Sequence, residues 1–216
     1  MKTIKHLALF ALLMFIADNT LAQGRVRQGK ALFRKCVECH GENAQGTLSL
    51  GAPTLVNQDA WYLQRQLANF AAELRSEDPN DYFGKRMSPN AKTLKDQQAR
   101  EDVVAYIKSL PPVDVQRKIR GDVEKGRQHY QMICGACHGP DAMGNKILNA
   151  PRLAGINDWY LKRQYTNFKK GVRGAHADDK YGAQMAYIAR HLQDENIAQD
   201  VAVYIQSLKK TAANEK

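Results

Sequence analysis

All four cysteines of this 216-residue chain sit in two copies of one pentapeptide. Cys36-Val37-Glu38-Cys39-His40 recurs as Cys134-Gly135-Ala136-Cys137-His138, 98 residues further on. The repetition extends well past the motif. Cys36 to Leu110 aligns on Cys134 to Leu208 without a gap, with 30 identical pairs in 75 positions. A period near 100 residues is too long for a solenoid repeat, so the chain reads as two similar domains in tandem. Upstream of the cysteines the copies slip by one residue: Gly29 stands seven before Cys36, and Gly126 stands eight before Cys134. Pro111 and Pro112 end the first helical pattern and open the connector. This sets the units at 23–112 and 113–216.

Residues 1–22 read as a secretory signal. Lys2, Lys5 and His6 form its basic start, Leu7 to Ala17 its apolar stretch, and Thr20-Leu21-Ala22 the cleavage site, with the cut after Ala22. The apolar run falls short of the roughly 20 residues a bilayer crossing needs. Export to the periplasm follows. Four cysteines in an oxidising compartment would ordinarily mean two disulfides, but their spacing points elsewhere.

C-x-x-C-H is the attachment sequence for c-type haem. Two thiols three residues apart on one helical turn reach the two vinyl groups of the porphyrin, and the next residue presents its imidazole to the iron. A structural zinc site would need about four ligands per metal, and each motif supplies three. A redox dithiol expects a βαβ setting, and no strand alternation is present. The assignment is therefore two covalently bound haem c groups, attached through Cys36 and Cys39 and through Cys134 and Cys137, with His40 and His138 on iron. The duplication also finds the second axial ligand. His129, His176 and His191 have no histidine opposite them, whereas Met87 and Met185 stand 98 apart, each 47 residues after its motif histidine. A lone methionine is usually core filler. Paired placement in what reads as a loop before the last helix assigns both to iron, in the His/Met pattern that raises the potential.

The fold class is all-α. Each unit shows three helical patterns: one leading into the cysteines (26–36 and 123–134), a middle helix and a last helix. The middle helix has Leu63, Leu67, Phe70 and Leu74 on one face, matched by Leu161, Tyr165, Phe168 and Val172. The last has Ala99, Val103, Ile107 and Leu110, matched by Ile197, Val201, Ile205 and Leu208. Asp96 and Asp194 fall in its first turn, where an acid complements the dipole, which leaves Lys95 and Gln193 as poor N-caps. A three-helix unit of about 90 residues has a small core, and a buried macrocycle would supply the missing apolar surface.

On these motifs the chain resembles the di-haem class I cytochromes c of the cytochrome c-four type, over about residues 25 to 210. The resemblance implies two tandem class I cytochrome c domains and a periplasmic shuttle. Its single electrons would pass from a dehydrogenase or quinol-oxidising complex to a terminal oxidase or reductase. It also implies that Pro53 and Pro151 each lend a carbonyl to the second nitrogen of the motif histidine, fixing the ring. Two other readings compete: a di-haem enzyme of thiosulfate-oxidising or peroxidase type, and a fixed subunit of a larger respiratory complex. An enzyme needs an open or labile sixth position, and the matched methionines argue against one, so no catalytic residue is assigned.

The net charge of +10 can mean nucleic acid, which export argues against. Redox partners with acidic docking surfaces fit it better, as does peripheral association with an anionic membrane. The second unit is the more basic. Its Lys162, Lys169, Lys170 and Arg173 form either a solvated helix face or a docking patch. Tyr62 and Gln66, repeated as Tyr160 and Gln164, share a helix face and either bind haem propionates or simply pack.

Overall fold

The structure, a computed structural model, describes residues 22–212. The expected signal segment lies outside the described residues, apart from Ala22. Among the described residues no strand occurs and no helix is long and apolar enough to cross a membrane. Two isolated bridges, Thr47 to Ala52 and Asn145 to Ala150, close matching loops.

The first unit contains α1 (22–33), α2 (Val37–His40), α3 (Ala60–Ala71), α4 (Tyr82–Lys92) and α5 (Gln97–Ser109). The second repeats the order as α6 (Val123–His129), α7 (Gly135–His138), α8 (Asp158–Lys169), α9 (Lys180–His191) and α10 (Ile197–Ala212). One expectation is corrected here. Met87 and Met185 lie within helices α4 and α9, not in loops. These helices escape a search for large apolar residues because their buried stripe is made of small ones. It consists of Gly84, Ser88 and Ala91 in α4, and of Gly182, Ala186 and Ala189 in α9. Both start on a buried aspartate: the Asp81 carboxylate accepts from Gly84 N at 2.9 Å, and that of Asp179 from Gly182 N at 3.0 Å. The glycines leave room for these caps: a Cβ on Gly84 would stand 2.2 Å from the Asp81 carboxylate and 2.3 Å from the Arg75 carbonyl oxygen, and one on Gly182 would stand 2.0 Å from the Asp179 carboxylate.

A second correction concerns α5. Asp96 is itself the N-cap and accepts from Ala99 N at 2.8 Å, so Lys95 lies outside the helix. Replacing Asp96 by alanine is expected to cost about 1 kcal/mol, read as a shift in the denaturant midpoint at unchanged slope. Asp194 lies three residues before the start of α10, accepting from Asn196 N at 2.8 Å and pairing with His129 at 2.9 Å.

The first and last helices of each unit cross almost backbone to backbone. A Cβ on Gly29 would fall 1.9 Å from the carbonyl oxygen of Asp102, and one on Gly126 would fall 2.0 Å from that of Asp200. Beside each crossing an aromatic pair packs: Phe33 on Tyr106 at 5.3 Å and Tyr130 on Tyr204 at 5.5 Å. These pairs locate the one-residue slip. Phe33 stands three residues before Cys36 and Tyr130 four before Cys134, and Tyr130–Cys134 forms a π-helical turn. A π turn accommodates one extra residue without moving the helix on either side. The Tyr130 hydroxyl ties the turn down by donating to Gly139 O at 2.7 Å.

The two units pack about a pseudo-twofold axis, because their contacts come in pairs related by the 98-residue offset. Arg65 donates to Asn149 O at 3.1 Å, and Arg163 donates to Gly51 O at 2.6 Å. Arg65 lies over Tyr181 and Arg163 over Phe83. Asn57 and Gly155 are themselves 98 apart and meet directly, Nδ2 donating to the glycine carbonyl at 2.8 Å. The connector is also laced down. Asn57 bonds Val113 through both N–H and carbonyl, at 3.1 and 2.8 Å. The buried Asp158 carboxylate accepts from Lys118 N at 2.7 Å and Ile119 N at 3.0 Å.

Candidate functional site

Each pentapeptide forms one helical turn entered by its first cysteine. Burial pushes the thiols of Cys36 and Cys134 up to about 11, so both are neutral at physiological pH. The turn ends on a histidine aimed at the following loop. His40 Nδ1 lies 3.0 Å from Pro53 O, and His138 Nδ1 lies 2.8 Å from Pro151 O. A carbonyl accepts only, so Nδ1 carries the proton and donates. The lone pair is then on Nε2, the form in which imidazole binds a metal. Burial lowers the pKa of both histidines below the ordinary value, against the smaller opposing effect of the proline carbonyl.

The loop is brought this close by Gly46 (φ +84°) and Gly144 (φ +85°), in a left-handed conformation that side chains resist. A Cβ on Gly46 would stand 2.5 Å from the carbonyl carbon of Pro53, and one on Gly144 would stand 2.8 Å from that of Pro151.

In the second unit the sequence-assigned residues converge. Cys134, Cys137, His138, Pro151 and Met185 all line one cavity. Leu161, Tyr165 and Phe168 of α8 and Val201 and Ile205 of α10 supply apolar wall. Two thiols, a neutral imidazole and a thioether around an apolar cleft fit a covalently held haem. In the first unit His40 and Pro53 meet in the same way, and Met87 holds the α4 position matching Met185.

The cavity of the second unit is completed from the first. Tyr62, Arg65 and Gln66 of α3 line it alongside Tyr160, Gln164 and Arg173. The tyrosine–glutamine pairs therefore sit at the domain interface. Gln66 accepts from Arg75 at 2.7 Å and from Arg173 at 2.9 Å, and Gln164 from Arg173 at 2.8 Å and from Arg75 at 3.0 Å. This corrects the place of Arg173, which the sequence puts in a surface basic run. It is 5 % exposed, as is Arg75. The sequence carries one sign of this, the identity of positions 75 and 173 in the two copies, but the lysine-rich neighbourhood of Arg173 looks like solvent-facing helix. Of the other run members, Lys162 and Lys170 are exposed, and Lys169 donates to Leu192 O at 2.8 Å.

Comparison with known proteins agrees with this architecture. The family model described as Cytochrome c matches residues 26–111 and again 123–209. Cytochrome c4 of Azotobacter vinelandii is 29 % identical over 213 residues, covering 93 % of this chain and 98 % of its own. The thiosulfate dehydrogenase electron acceptor of Stutzerimonas stutzeri is 31 % identical over 183 residues, covering 80 % and 78 %. Among solved structures, cytochrome c4 of Acidithiobacillus ferrooxidans superposes with a TM-score of 0.66 at 26 % identity, covering 81 % of this chain and 99 % of that one. A thiosulfate dehydrogenase of Marichromatium purpuratum superposes with a TM-score of 0.68 at 25 % identity, and there this chain covers only 40 % of the other. With two matched regions, a duplicated all-helical fold and a cleft lined by two cysteines, a histidine and a methionine, the chain belongs to the cytochrome c family, as a di-haem class I member of the c4 type that binds two haem c groups.

Proposed function

We propose that this cytochrome is a periplasmic single-electron carrier with both axial positions of both irons filled by its own side chains. Cys36 and Cys39, and Cys134 and Cys137, form the thioethers; His40 with Met87, and His138 with Met185, ligate iron. The bound haem supplies a one-electron ferric/ferrous couple at each site. The chain's own residues fix its setting. The carbonyls of Pro53 and Pro151 hold each imidazole by its Nδ1–H, the methionine thioethers favour the ferrous state, and in the second domain the apolar walls of α8 and α10 exclude water. The convergence of Cys134, Cys137, His138 and Met185 on one cavity carries this reading.

The mature protein is expected to retain two haems per chain through acid-acetone extraction, counted as pyridine haemochrome. A count near one would overturn the reading. The reduced protein is expected not to bind carbon monoxide at either iron; binding would open a sixth position and favour an enzyme, to be checked by thiosulfate oxidation. Exchange takes place with a dehydrogenase or quinol-oxidising complex on one side and a terminal oxidase or reductase on the other. Acidic partner surfaces would meet the basic second domain. Replacing the exposed Lys162 and Lys170 by glutamine is expected to slow electron delivery at low ionic strength, with the difference fading as salt rises. Equal rates at low salt would remove these lysines from the docking surface.

A further inference from the structure

The two copies of the haem-attachment turn are held by different side chains. In the second domain Tyr130, fully buried, grips the pentapeptide twice. Its carbonyl accepts from Gly135 N across the π turn. Its hydroxyl donates at 2.7 Å to the carbonyl of Gly139, the residue directly after His138. Burial pushes the phenol up from its ordinary value, so the hydroxyl keeps its proton and donates at physiological pH. In the first domain Phe33 stands at this place and has no hydroxyl. Its carbonyl accepts from Cys36 N at 2.8 Å, one position earlier in the motif. The next residue differs in step. Val37 packs on the first core, whereas Gly135 leaves the tyrosine its space: a Cβ there would stand 3.3 Å from the Tyr130 carbonyl oxygen and 3.4 Å from its ring. An added residue, an added hydroxyl and a removed side chain thus serve one contact.

That contact bears on the iron ligand through a chain of hydrogen bonds that closes on itself. Gly139 O also accepts from Ala142 N at 3.2 Å, and Ala142 O accepts from Leu153 N and Ala154 N at 2.9 Å each. Those residues follow Pro151, whose carbonyl accepts from His138 Nδ1 at 2.8 Å. The loop has to be held, since Ala142 is in the left-handed region at φ +59°. The first domain meets the same need otherwise. Ala44, at φ +52°, has its carbonyl bonded by the Thr54 hydroxyl at 3.3 Å, and Arg152 occupies the place of Thr54 in the second copy. Each copy therefore brings a side-chain hydroxyl to this loop, and in the second it acts on the residue next to the histidine.

We infer that Tyr130 is a positioning residue for the second haem: by clasping the attachment turn at both ends it keeps the His138 ring on the Pro151 carbonyl, and so holds that haem's potential down. The inference rests on the reading that His138 and Met185 ligate iron. A histidine whose Nδ1–H is held by a carbonyl is the more basic ligand, and a more basic ligand favours the ferric state. Releasing the clasp lets the ring move off the carbonyl, which raises the potential of this haem and leaves the other where it is. The effect passes through further bonds, so it is smaller than the roughly tenfold that a direct partner of a ligating histidine carries.

Tyr130→Phe, the side chain the first domain already has, tests this in the purified two-haem protein. Spectroelectrochemical titration is expected to show the second domain's midpoint raised and the first domain's unmoved, the second wave being the one that Met185→Ala displaces. In the reduced protein, solvent exchange of the His138 Nδ1–H followed by NMR is expected to quicken, while that of His40 does not change. Gly126→Ala weakens α6 at its crossing with α10 without touching the clasp, and is expected to leave both readouts in place. An unmoved second midpoint in Tyr130→Phe, or an equal rise in Gly126→Ala, would overturn the clasp and leave the di-haem assignment standing. A haemochrome count below two in the parent, or a pair of waves indifferent to Met185→Ala, would overturn the ligation reading and the inference with it. If Tyr130→Phe fails to load haem, Gly135→Ala takes its place, since the added Cβ presses on both the tyrosine carbonyl and its ring. A second midpoint no higher than the parent's in that variant would overturn the inference.

Discussion

Alanine in place of Met185 is expected to lower the midpoint potential of the second domain's haem on the order of 0.2 V, a fraction of the ~0.8 V span that axial ligation covers. The first domain's wave should move far less, and the haem should stay covalently attached through Cys134 and Cys137. The direction follows from the thioether, a neutral soft ligand that favours ferrous iron; water in its place favours ferric. Loss of the helix is not a competing explanation. Helix α9 starts on the Asp179 cap, its buried stripe of Gly182, Ala186 and Ala189 is untouched, and alanine is a better helix former than methionine. The reduced variant is also expected to bind carbon monoxide where the parent does not. Met87→Ala is the mirror experiment for the first domain. If either variant kept its parent's potential and spectrum, that methionine would be packing, and a ligand would have to be sought elsewhere on its helix.

The second large effect is on stability. Gly29→Ala adds one methyl group, but it would lie 1.9 Å from the Asp102 carbonyl oxygen. Both atoms on the far side are backbone within α5, so helix α1 must move as a body. The expected loss is roughly 3 kcal/mol or more, at the upper end for overpacking because no side chain can rotate away. Gly126→Ala should behave alike against Asp200. Gly24→Ala is the control, since a Cβ there meets nothing within 4 Å and alanine favours a helix over glycine by about 1 kcal/mol. Chemical denaturation of the haem-loaded protein separates the three. A Gly29 variant as stable as the Gly24 variant would mean that α1 and α5 can separate at their crossing at little cost.

The fold class and the paired organisation were legible because covalent haem attachment imposes a rigid spacing, and because the second copy repeats the first at a constant offset. The helical faces of α3, α5, α8 and α10 were legible because they are lined with large apolar residues. Helices α4 and α9 were not, since a stripe such as Gly84, Ser88 and Ala91 has little hydrophobic signal although it packs closely. The cap of α5 lies one residue later than the sequence pattern suggests, because Asp96 reads equally well as an N-cap or a first-turn acid; its extended backbone decides. The slip before Cys134 was visible, but its resolution as a π turn needed the positions of Phe33 and Tyr130. Arg173 was misplaced for a different reason: no local pattern distinguishes an arginine turned into a domain interface from one turned to solvent.

The meeting of Asn57 and Gly155 has a further consequence. In a pair of identical chains, a residue lying on the twofold axis must face its own copy: asparagine against asparagine, or glycine against glycine. Here Gly155, at φ +80°, leaves space that its own Cβ would close to 3.3 Å from the Asn57 amide. The asparagine uses that space to reach the glycine carbonyl while clasping the connector at Val113. A knob and its socket at one symmetric position are unavailable to a homodimer of either half. Joining the copies in one polypeptide permits this broken symmetry, and with it two haem environments that share a scaffold without having to be equal.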